Sequence, residues 1–354
     1  MTMPASEAKG DPPDSWRQIL SDAVAAPSPL NTQPWRVLRK GPLSIDLFID
    51  TERLLPLLDP TSRQGYLSCG AFIENLEIAA REAGFRADIT LFPTGWPGAA
   101  MSPREPVARI ELVDGDKRGS DPLYSCLHTR HTNRRMYTDK EILPETYSAL
   151  ASASDLEFTS FGFSADPTFR QDLAGYLAEA MEIALSDPDR LAELLSHVRI
   201  IDPPGKDRQE GIGSAELGLS GIMGWLARMR IRMHAKESKN RVSKDLLIRL
   251  AQKQAGSAAA FGWIVTKGNG RHDQVRAGRV YQRVHLTATS QDLSLQAIST
   301  ILESYPGMEV PAGKFRDLLG IPDTHTVQML FRLGYSHPGH PSKRRAVQDF
   351  VQSR

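Results

Sequence analysis

The amino-acid sequence predicts an α+β protein made of two similar units, with a helical insertion in the second one. Short apolar runs typical of strands alternate with longer segments in which apolar residues recur every three or four positions, as in helices. The strand–helix pair "WRVLRKG" and "SCGAFIENLEIAAREAGF" is matched in order and length by "FGWIVTKGNG" and "AGRVYQRVHLTATSQDLS". Between these pairs, the segment 187–255 is helical, basic and interrupted, which indicates an insertion.

The first unit is expected at 15–115, after a flexible polar tail at 1–14. Apolar residues from Trp16 to Val24 recur at helical spacing and predict a helix. Two strands with a turn at Gly41-Pro42 come next, and a long helix then ends at Gly84. Strands at "ADITLFP" and "VARIELV" complete the unit.

The second unit is expected at 116–354. A strand at 158–163 and a helix at 168–185 precede the insertion, and the second strand–helix pair follows it. "VQMLFRLGYS" is predicted to be the last strand before a basic tail. Strand–helix pairs are common, so the likeness of the two pairs is by itself weak evidence of duplication. Both predicted helices nevertheless begin with small residues, namely Ser68 and Gly70 in the first and Ala277 and Gly278 in the second.

The composition argues against several classes of protein, namely those that bind nucleic acid or membranes through net charge and those held by disulfides or a metal. With 354 residues, 24% of them charged, and a net charge of +1, the chain has no global attraction to nucleic acid or to a membrane. Its two cysteines, Cys69 and Cys126, argue against a disulfide framework, and no cluster of ligands suggests a metal. The first residues lack the pattern of a secretory signal, and no apolar run approaches the roughly 20 residues that span a bilayer. We therefore expect a cytoplasmic protein with a small-molecule partner.

The segment "APSPLNTQPW" is the first candidate binding element. Pro27, Pro29 and Pro34 stiffen its backbone, and the polar side chains that it carries are Ser28, Asn31 and Gln33. Amide side chains both donate and accept hydrogen bonds, so this segment suits a flat ligand with polar edges. A rigid turn anchored by Trp35 explains the same pattern equally well.

Two basic segments are candidates for phosphate binding. "RHTNRR" provides Arg130, His131, Thr132 and Arg134, which combine up to three positive charges with a hydroxyl group. A phosphate group requires such charge-assisted donors, although a solvated basic loop has the same composition. A second cluster, Lys343 to Arg345, follows the last strand and is either a surface tail or part of the same phosphate site.

These segments together resemble the nitroreductase superfamily of FMN flavoproteins, and within it the Acg-like branch, in which two nitroreductase-type halves are fused. The resemblance lies in "APSPLNTQPW", "RHTNRR", the helix "SCGAFIENLEIAAREAGF" and the closing "RLGYS" and "PSKRRAV". It extends from about residue 23 to about residue 347 and leaves the insertion uncovered. Thr132 stands where the family more often has serine, which keeps the hydroxyl group.

The resemblance implies an intrachain pseudo-dimer. Single-domain members carry the arginine motif before the proline-rich motif and bind FMN between two subunits, whereas here the order is reversed. The family pattern then assigns the FMN phosphate and ribityl side to Arg130, His131, Thr132 and Arg134. Contacts from the other half fall to Pro27, Ser28, Asn31 and Gln33, with Lys343 and Arg345 closing on the phosphate. "QAGSAAAFGW" replaces the proline-rich motif in the second half, so one FMN site per chain is expected.

The implied activity is that of an FMN-dependent oxidoreductase that reduces or dehydrogenates a small conjugated substrate, with NAD(P)H as a candidate reductant. The alternative is an FMN-sequestering protein without efficient turnover. No catalytic acid or base can be named from the sequence, and the protein is expected to be a monomer or a homodimer.

The insertion has three competing interpretations. Ile222, Leu226, Met229 and Met233 fall on one helical face beside Trp225, while the basic residues lie elsewhere. A lid or arm over the pocket or a partner subunit is the favoured interpretation. A basic surface for an anionic substrate or partner, and an amphipathic helix on a membrane surface, are the other two.

Overall fold

The computed structural model describes residues 13–95, 104–115, 119–154, 159–200, 209–219, 221–233, 236–339 and 341–352. The predicted tail lies outside these residues up to position 12, and the first helix begins at Pro13. The mixture of helices with antiparallel sheets confirms the α+β class. No helix in the described ranges is long and apolar enough to cross a bilayer.

Helices and strands alternate along most of the chain. The helices are α1 (Pro13–Ala23), α2 (Arg63–Glu82), α3 (Pro144–Ala153), α4 (Pro167–Ala184), α5 (Pro188–His197), α6 (Gly221–Arg232), α7 (Lys236–Gly256), α8 (Arg271–Ser290) and α9 (Glu309–Leu319). The strands are β1 (Trp35–Gly41), β2 (Ser44–Ile49), β3 (Phe85–Leu91), β4 (Ala108–Asp114), β5 (Thr159–Ser164), β6 (Val198–Arg199), β7 (Ile212–Gly213), β8 (Ala260–Thr266), β9 (Ser294–Ala297), β10 (Thr326–Gly334) and β11 (Val351–Gln352).

The first sheet has five strands in the order β11-β1-β2-β4-β3. The predicted hairpin of β1 and β2 is confirmed, with Val37 opposite Leu47. Strand β11, from the far end of the chain, pairs with β1 in parallel and brings the C-terminal segment to this sheet. Helices α1 and α2 contribute Trp16 and Phe72 to the core of this sheet, where Phe72 lies 5.1 Å from the Trp35 ring.

The second sheet has four antiparallel strands in the order β5-β8-β10-β9. Its central strand β10 is buried along nearly its whole length. Gly262 on β8 leaves room for the Phe331 ring opposite it, because a Cβ at this position would lie 2.5 Å from that ring. Helices α3, α4 and α9 also belong to this part of the fold, and α4 and α9 supply core residues such as Leu177 and Phe315.

Helices α2 and α8 cross at the centre of the molecule with their backbones in contact. A Cβ on Gly70 would lie 2.0 Å from the Val275 carbonyl oxygen, and one on Gly278 would lie 2.0 Å from the Leu67 carbonyl oxygen. The two glycines, which the sequence placed at the starts of the helices, therefore lie inside α2 and α8, and each packs against the other's helix. Beyond the crossing, buried Glu74 accepts hydrogen bonds from Arg279 (2.9 Å) and Arg283 (2.6 Å) of α8.

The insertion packs as a small cluster of its own against the rest of the chain. Apolar side chains from α5, β7 and α7 form this cluster with Leu217 and Leu219. Helix α6 joins it through Ala227 and Ile231. Its opposite face, with Ile222 and Trp225, is exposed.

Candidate functional site

A small polar pocket collects residues from three distant segments of the chain, together with Ile212 of the insertion. Segments 27–31, 130–134 and 342–344 all line it. Of the residues that the structure describes, none with a carboxylate group lines this pocket. The residues predicted from the sequence that lie here are Pro27, Ser28, Asn31, Arg130, His131, Thr132 and Arg134.

Arg130, which is buried, and Arg344, which is half-buried, both line the polar pocket. Arg130 and Arg344 both donate to the Ala25 carbonyl oxygen, at 3.1 Å and 3.2 Å, which holds the two guanidinium groups side by side. Burial lowers the pKa of Arg130 to about 10, and burial together with the charge of Arg130 lowers the pKa of Arg344 to about 9. Within the described part of the chain, the buried Nε atom of each has no hydrogen-bond partner. Adjacent buried cations are unfavourable unless an anion joins them.

Arg134 and Thr132 present unused donors to the pocket. Neither the guanidinium group of Arg134 nor the hydroxyl of Thr132 hydrogen-bonds to any described residue. Arg134 is half-buried, and burial lowers its pKa. Both side chains are therefore available to a ligand.

Two histidines support the arginine segment as neutral side chains. Arg130 can only donate, so Nδ1 of His285 accepts its Nη1–H at 3.3 Å, and the Nε2–H of His285 donates to the His131 carbonyl oxygen at 3.2 Å. Burial and the nearby charge of Arg130 keep the pKa of His285 well below its ordinary value. In His131, Nε2 accepts the Gly339 N–H (2.9 Å) and the Nδ1–H donates to the Thr129 carbonyl oxygen (2.9 Å). His131 thus lines the pocket without adding a charge to it.

The proline-rich segment has a strained backbone and forms one side of the polar pocket. Leu30, Asn31 and Gln33 have φ angles of 48°, 58° and 54°, in the left-handed region that residues other than glycine rarely adopt. Asn31 faces the pocket, and its Oδ1 accepts from Arg344 at 2.9 Å. Gln33 is fully buried and does not line the pocket, because its amide bonds to the Arg345 N–H (2.8 Å) and the Gln209 carbonyl oxygen (2.6 Å).

Of the C-terminal cations, it is Arg344 that lines the polar pocket. Lys343 is exposed, and Arg345 donates to the carbonyl oxygens of Gln33 and Trp35, both at 3.1 Å. The sequence pattern pointed to Lys343 and Arg345 rather than to Arg344. Which of these three neighbouring cations faces the pocket depends on tertiary contacts that their own segment does not reveal.

A larger apolar cavity of about 280 Å³ adjoins the polar pocket and shares Ser28, Thr132 and Arg134 with it. Arg134 is the one charged residue lining it within the described ranges. Tyr281 also lines it, and burial raises the pKa of its phenol to about 12, so the hydroxyl stays protonated and can donate. Apolar lining comes from α2 and the loop before it, from the C-terminal part of α4, from β10 and from the insertion: Leu58, Leu67, Ala71, Met181, Leu185, Leu217, Leu247, Leu250 and Met329.

A buried pair of carboxyl groups lies behind the wall of this cavity. Glu303 accepts hydrogen bonds from Arg63 (2.6 Å) and from Gln64 (3.0 Å), and Gln64 lines the cavity. Asp59 accepts the Gly65 N–H at 3.2 Å, and its second oxygen has no partner among the described residues. Burial, and then the nearby charge of Glu303, raise the pKa of Asp59 to about 7.

Asp59→Asn is expected to flatten the dependence of folding stability on pH. The folded protein keeps a proton on Asp59 up to about pH 7, whereas the unfolded chain releases it near the ordinary value of 3.8. The free energy of unfolding should therefore fall as the pH rises through this window, and the uncharged asparagine should remove that fall. Urea unfolding at pH values from about 5 to about 8 measures how the free energy of unfolding depends on pH. The exposed Asp323→Asn is the control, and equal slopes for Asp59→Asn and wild type would contradict the assignment.

Comparison with known proteins gives the family. No protein-family model matches the chain. A Mycobacterium tuberculosis H37Rv protein named "Putative NAD(P)H nitroreductase Rv3131" is 40% identical over 351 residues, which cover 95% of this chain and 90% of that protein. "Uncharacterized protein Rv3127" of the same strain is 25% identical over 356 residues, covering 94% and 91%. A solved FMN- and NADPH-dependent nitroreductase from a Sphingopyxis strain is 12% identical with a TM-score of 0.42, covering 66% of this chain and 99% of that chain. Since the identity of 40% extends over nearly all of both proteins, the chain belongs to the nitroreductase family.

Proposed function

We propose that this protein is an FMN-dependent oxidoreductase of the nitroreductase type, with one FMN bound per chain. The observation that carries the proposal is the convergence of Arg130, Arg134 and Arg344 on a pocket that no described carboxylate lines, next to an apolar cavity. A phosphate dianion needs charged, forked donors, and a flavin ring needs an apolar surface with a few fixed polar groups. The two adjoining spaces offer these two environments.

The side chains that line the two spaces fit FMN in their positive charge as well as in their polar and apolar character. The unpartnered Nε atoms of Arg130 and Arg344 and the unused donors of Arg134 and Thr132 leave more donor capacity than the protein itself satisfies. A bound phosphate would offset the cost of burying these cations. We assign the phosphate to Arg130, Thr132, Arg134 and Arg344, with Ser28 and Asn31 completing the pocket from the other predicted half.

The remaining groups position this site. His285 fixes Arg130, Asn31 fixes Arg344, and His131 ties the arginine segment to the C-terminal chain. The cavity lining excludes water, and the protonated hydroxyl of Tyr281 offers a hydrogen bond to whatever occupies it. When bound, FMN would supply two-electron chemistry, accepting a hydride from NAD(P)H and reducing a small conjugated acceptor.

Packing at the centre of the molecule supports the pseudo-dimer and the single site. The crossing of α2 and α8 at Gly70 and Gly278 is what two equivalent halves joined by equivalent helices would produce. In the segment that replaces the proline-rich motif, the Gln254 carbonyl oxygen and the Ser257 hydroxyl both accept from buried Arg332, at 2.8 Å and 3.1 Å. These groups are already paired within the protein, which favours one working site per chain.

FMN sequestration without efficient turnover has a specific observation in its favour. The insertion walls the cavity through α5, α7 and Leu217, and the Gln209 carbonyl oxygen accepts from both Asn31 (3.3 Å) and Gln33 (2.6 Å). The insertion is thus hydrogen-bonded to the proline-rich segment beside the proposed phosphate site. A cavity closed in this way would retain FMN and hinder access by a second substrate.

Absorption spectroscopy tests the proposal. The purified protein, or its apo form titrated with FMN, should show bound flavin at one equivalent per chain. Anaerobic addition of NADPH or NADH should then bleach the flavin, and a quinone or nitro compound should restore its absorbance. A protein that takes up no FMN contradicts the proposal, whereas bound FMN that neither nucleotide reduces favours sequestration. A stoichiometry of two would refute the single site.

A further inference from the structure

Helix α6 exposes a concentrated apolar face that no described part of the chain covers. The helix packs against the insertion through Ala227 and Ile231 alone among its apolar residues of described burial. Of the eleven large apolar side chains exposed in the described residues, five lie on or directly after this helix. They are Ile222 (77% exposed), Trp225 (53%), Leu226 (47%), Met229 (42%) and Met233 (67%).

The arrangement of these side chains around the helix is that of an interfacial amphipathic helix. At about 100° per residue, the five apolar positions span an arc of about 100°, directly opposite Ala227 and Ile231. Met233 continues this arc, because its N–H still bonds to the Met229 carbonyl oxygen (3.1 Å). Exposed Arg230 and Arg232 border the arc, one on each side. Long cationic side chains at both borders let the apolar centre enter a bilayer while their charges stay at the headgroups.

We propose that α6 docks this protein on an anionic lipid surface. The charge of the helix selects this partner, because the segment 221–233 contains arginine but no aspartate or glutamate. A second copy of the chain is a poorer partner, since a two-fold pairing of α6 would bring together two segments that both contain arginine and that contain no aspartate or glutamate of their own. None of the α6 side chains that the structure describes lines the apolar cavity, so the docking surface is separate from the proposed FMN site.

Vesicle co-sedimentation tests the docking surface. Vesicles of equal parts phosphatidylglycerol and phosphatidylcholine should bind the protein about tenfold more tightly than vesicles of phosphatidylcholine alone, and added salt should weaken the binding. The double variant Leu226→Glu with Met229→Glu should lose this binding. The control Val310→Glu alters an exposed apolar residue of α9 and should retain it. Circular dichroism and the thermal midpoint verify that both variants are folded.

Three results would overturn the proposal. One is the absence of binding to the anionic vesicles, and another is equal binding by the double variant and the wild type. The third is a wild-type protein that ignores vesicles but forms a dimer, or binds an acidic polypeptide, through the same residues. Light scattering after size-exclusion chromatography identifies the dimer. Because co-sedimentation measures lipid binding, its outcome does not depend on whether the chain binds FMN.

Discussion

Arg134→Ala is expected to weaken FMN binding by about 10- to 100-fold without lowering the stability of the apoprotein. The guanidinium group hydrogen-bonds to no described residue, so its removal leaves no protein group unpaired. Charge-assisted hydrogen bonds to a ligand contribute about 1.5–3 kcal/mol, which corresponds to this loss of affinity. Fluorescence titration of the apoprotein with FMN gives the dissociation constant, and urea unfolding of the same sample gives the stability.

Arg345→Ala is the matched control, because its effect should be the reverse. This guanidinium group bonds to the carbonyl oxygens of Gln33, Trp35 and Asp349 and does not line the pocket. Its loss leaves buried carbonyl groups unsatisfied and should destabilise the fold by about 2–4 kcal/mol. Should Arg345→Ala abolish FMN binding in a stably folded protein while Arg134→Ala binds FMN normally, the assignment of the phosphate to Arg134 rather than to Arg345 is wrong.

The contrast between these two arginines shows how far the sequence could predict the site. Arg130, Thr132 and Arg134 belong to one short motif, so local spacing was enough to group them. Gln33 and Arg345 are more than three hundred positions apart, and they bond to each other rather than face the pocket. Their roles depend on a tertiary contact that neither segment reveals by itself, and the same is true of Arg344.

The helices and strands also divide into those that the sequence predicts and those that depend on contacts with distant parts of the chain. Helices α1, α2 and α8 and the hairpin of β1 and β2 were predictable because their apolar periodicity is strong. Strand β9 has four residues and β11 has two, and both are held by pairing with distant strands rather than by a pattern of their own. For the insertion, a lid or arm over the pocket or a partner subunit was the favoured one of three interpretations. The apolar face of α6 is exposed, while α5 and α7 of the same insertion line the cavity.

Gly70→Ala is expected to destabilise the protein by about 3 kcal/mol or more. The added Cβ would lie 2.0 Å from the Val275 carbonyl oxygen, which is backbone and cannot rotate away. Helices α2 and α8 would have to separate, although buried Glu74 ties them together through Arg279 and Arg283. Thermal or urea unfolding measures the loss.

Gly175→Ala provides the control for this substitution. Gly175 lies exposed within α4, and an added Cβ there would meet no atom within 4 Å. Alanine favours a helix interior over glycine by about 1 kcal/mol, so this variant should be slightly more stable than the wild type. The same chemical change should thus have opposite signs at the two positions.

Gly70→Ala also tests the proposed pseudo-dimer through cofactor binding. Leu67 and Ala71 of α2 line the apolar cavity together with Tyr281 of α8, so separation of the helices must widen it. FMN affinity should fall with stability in Gly70→Ala and stay unchanged in Gly175→Ala. A Gly70→Ala protein with wild-type stability and affinity would mean that the two helices do not meet at this glycine, and the proposal that the two halves are joined along them would fail with it.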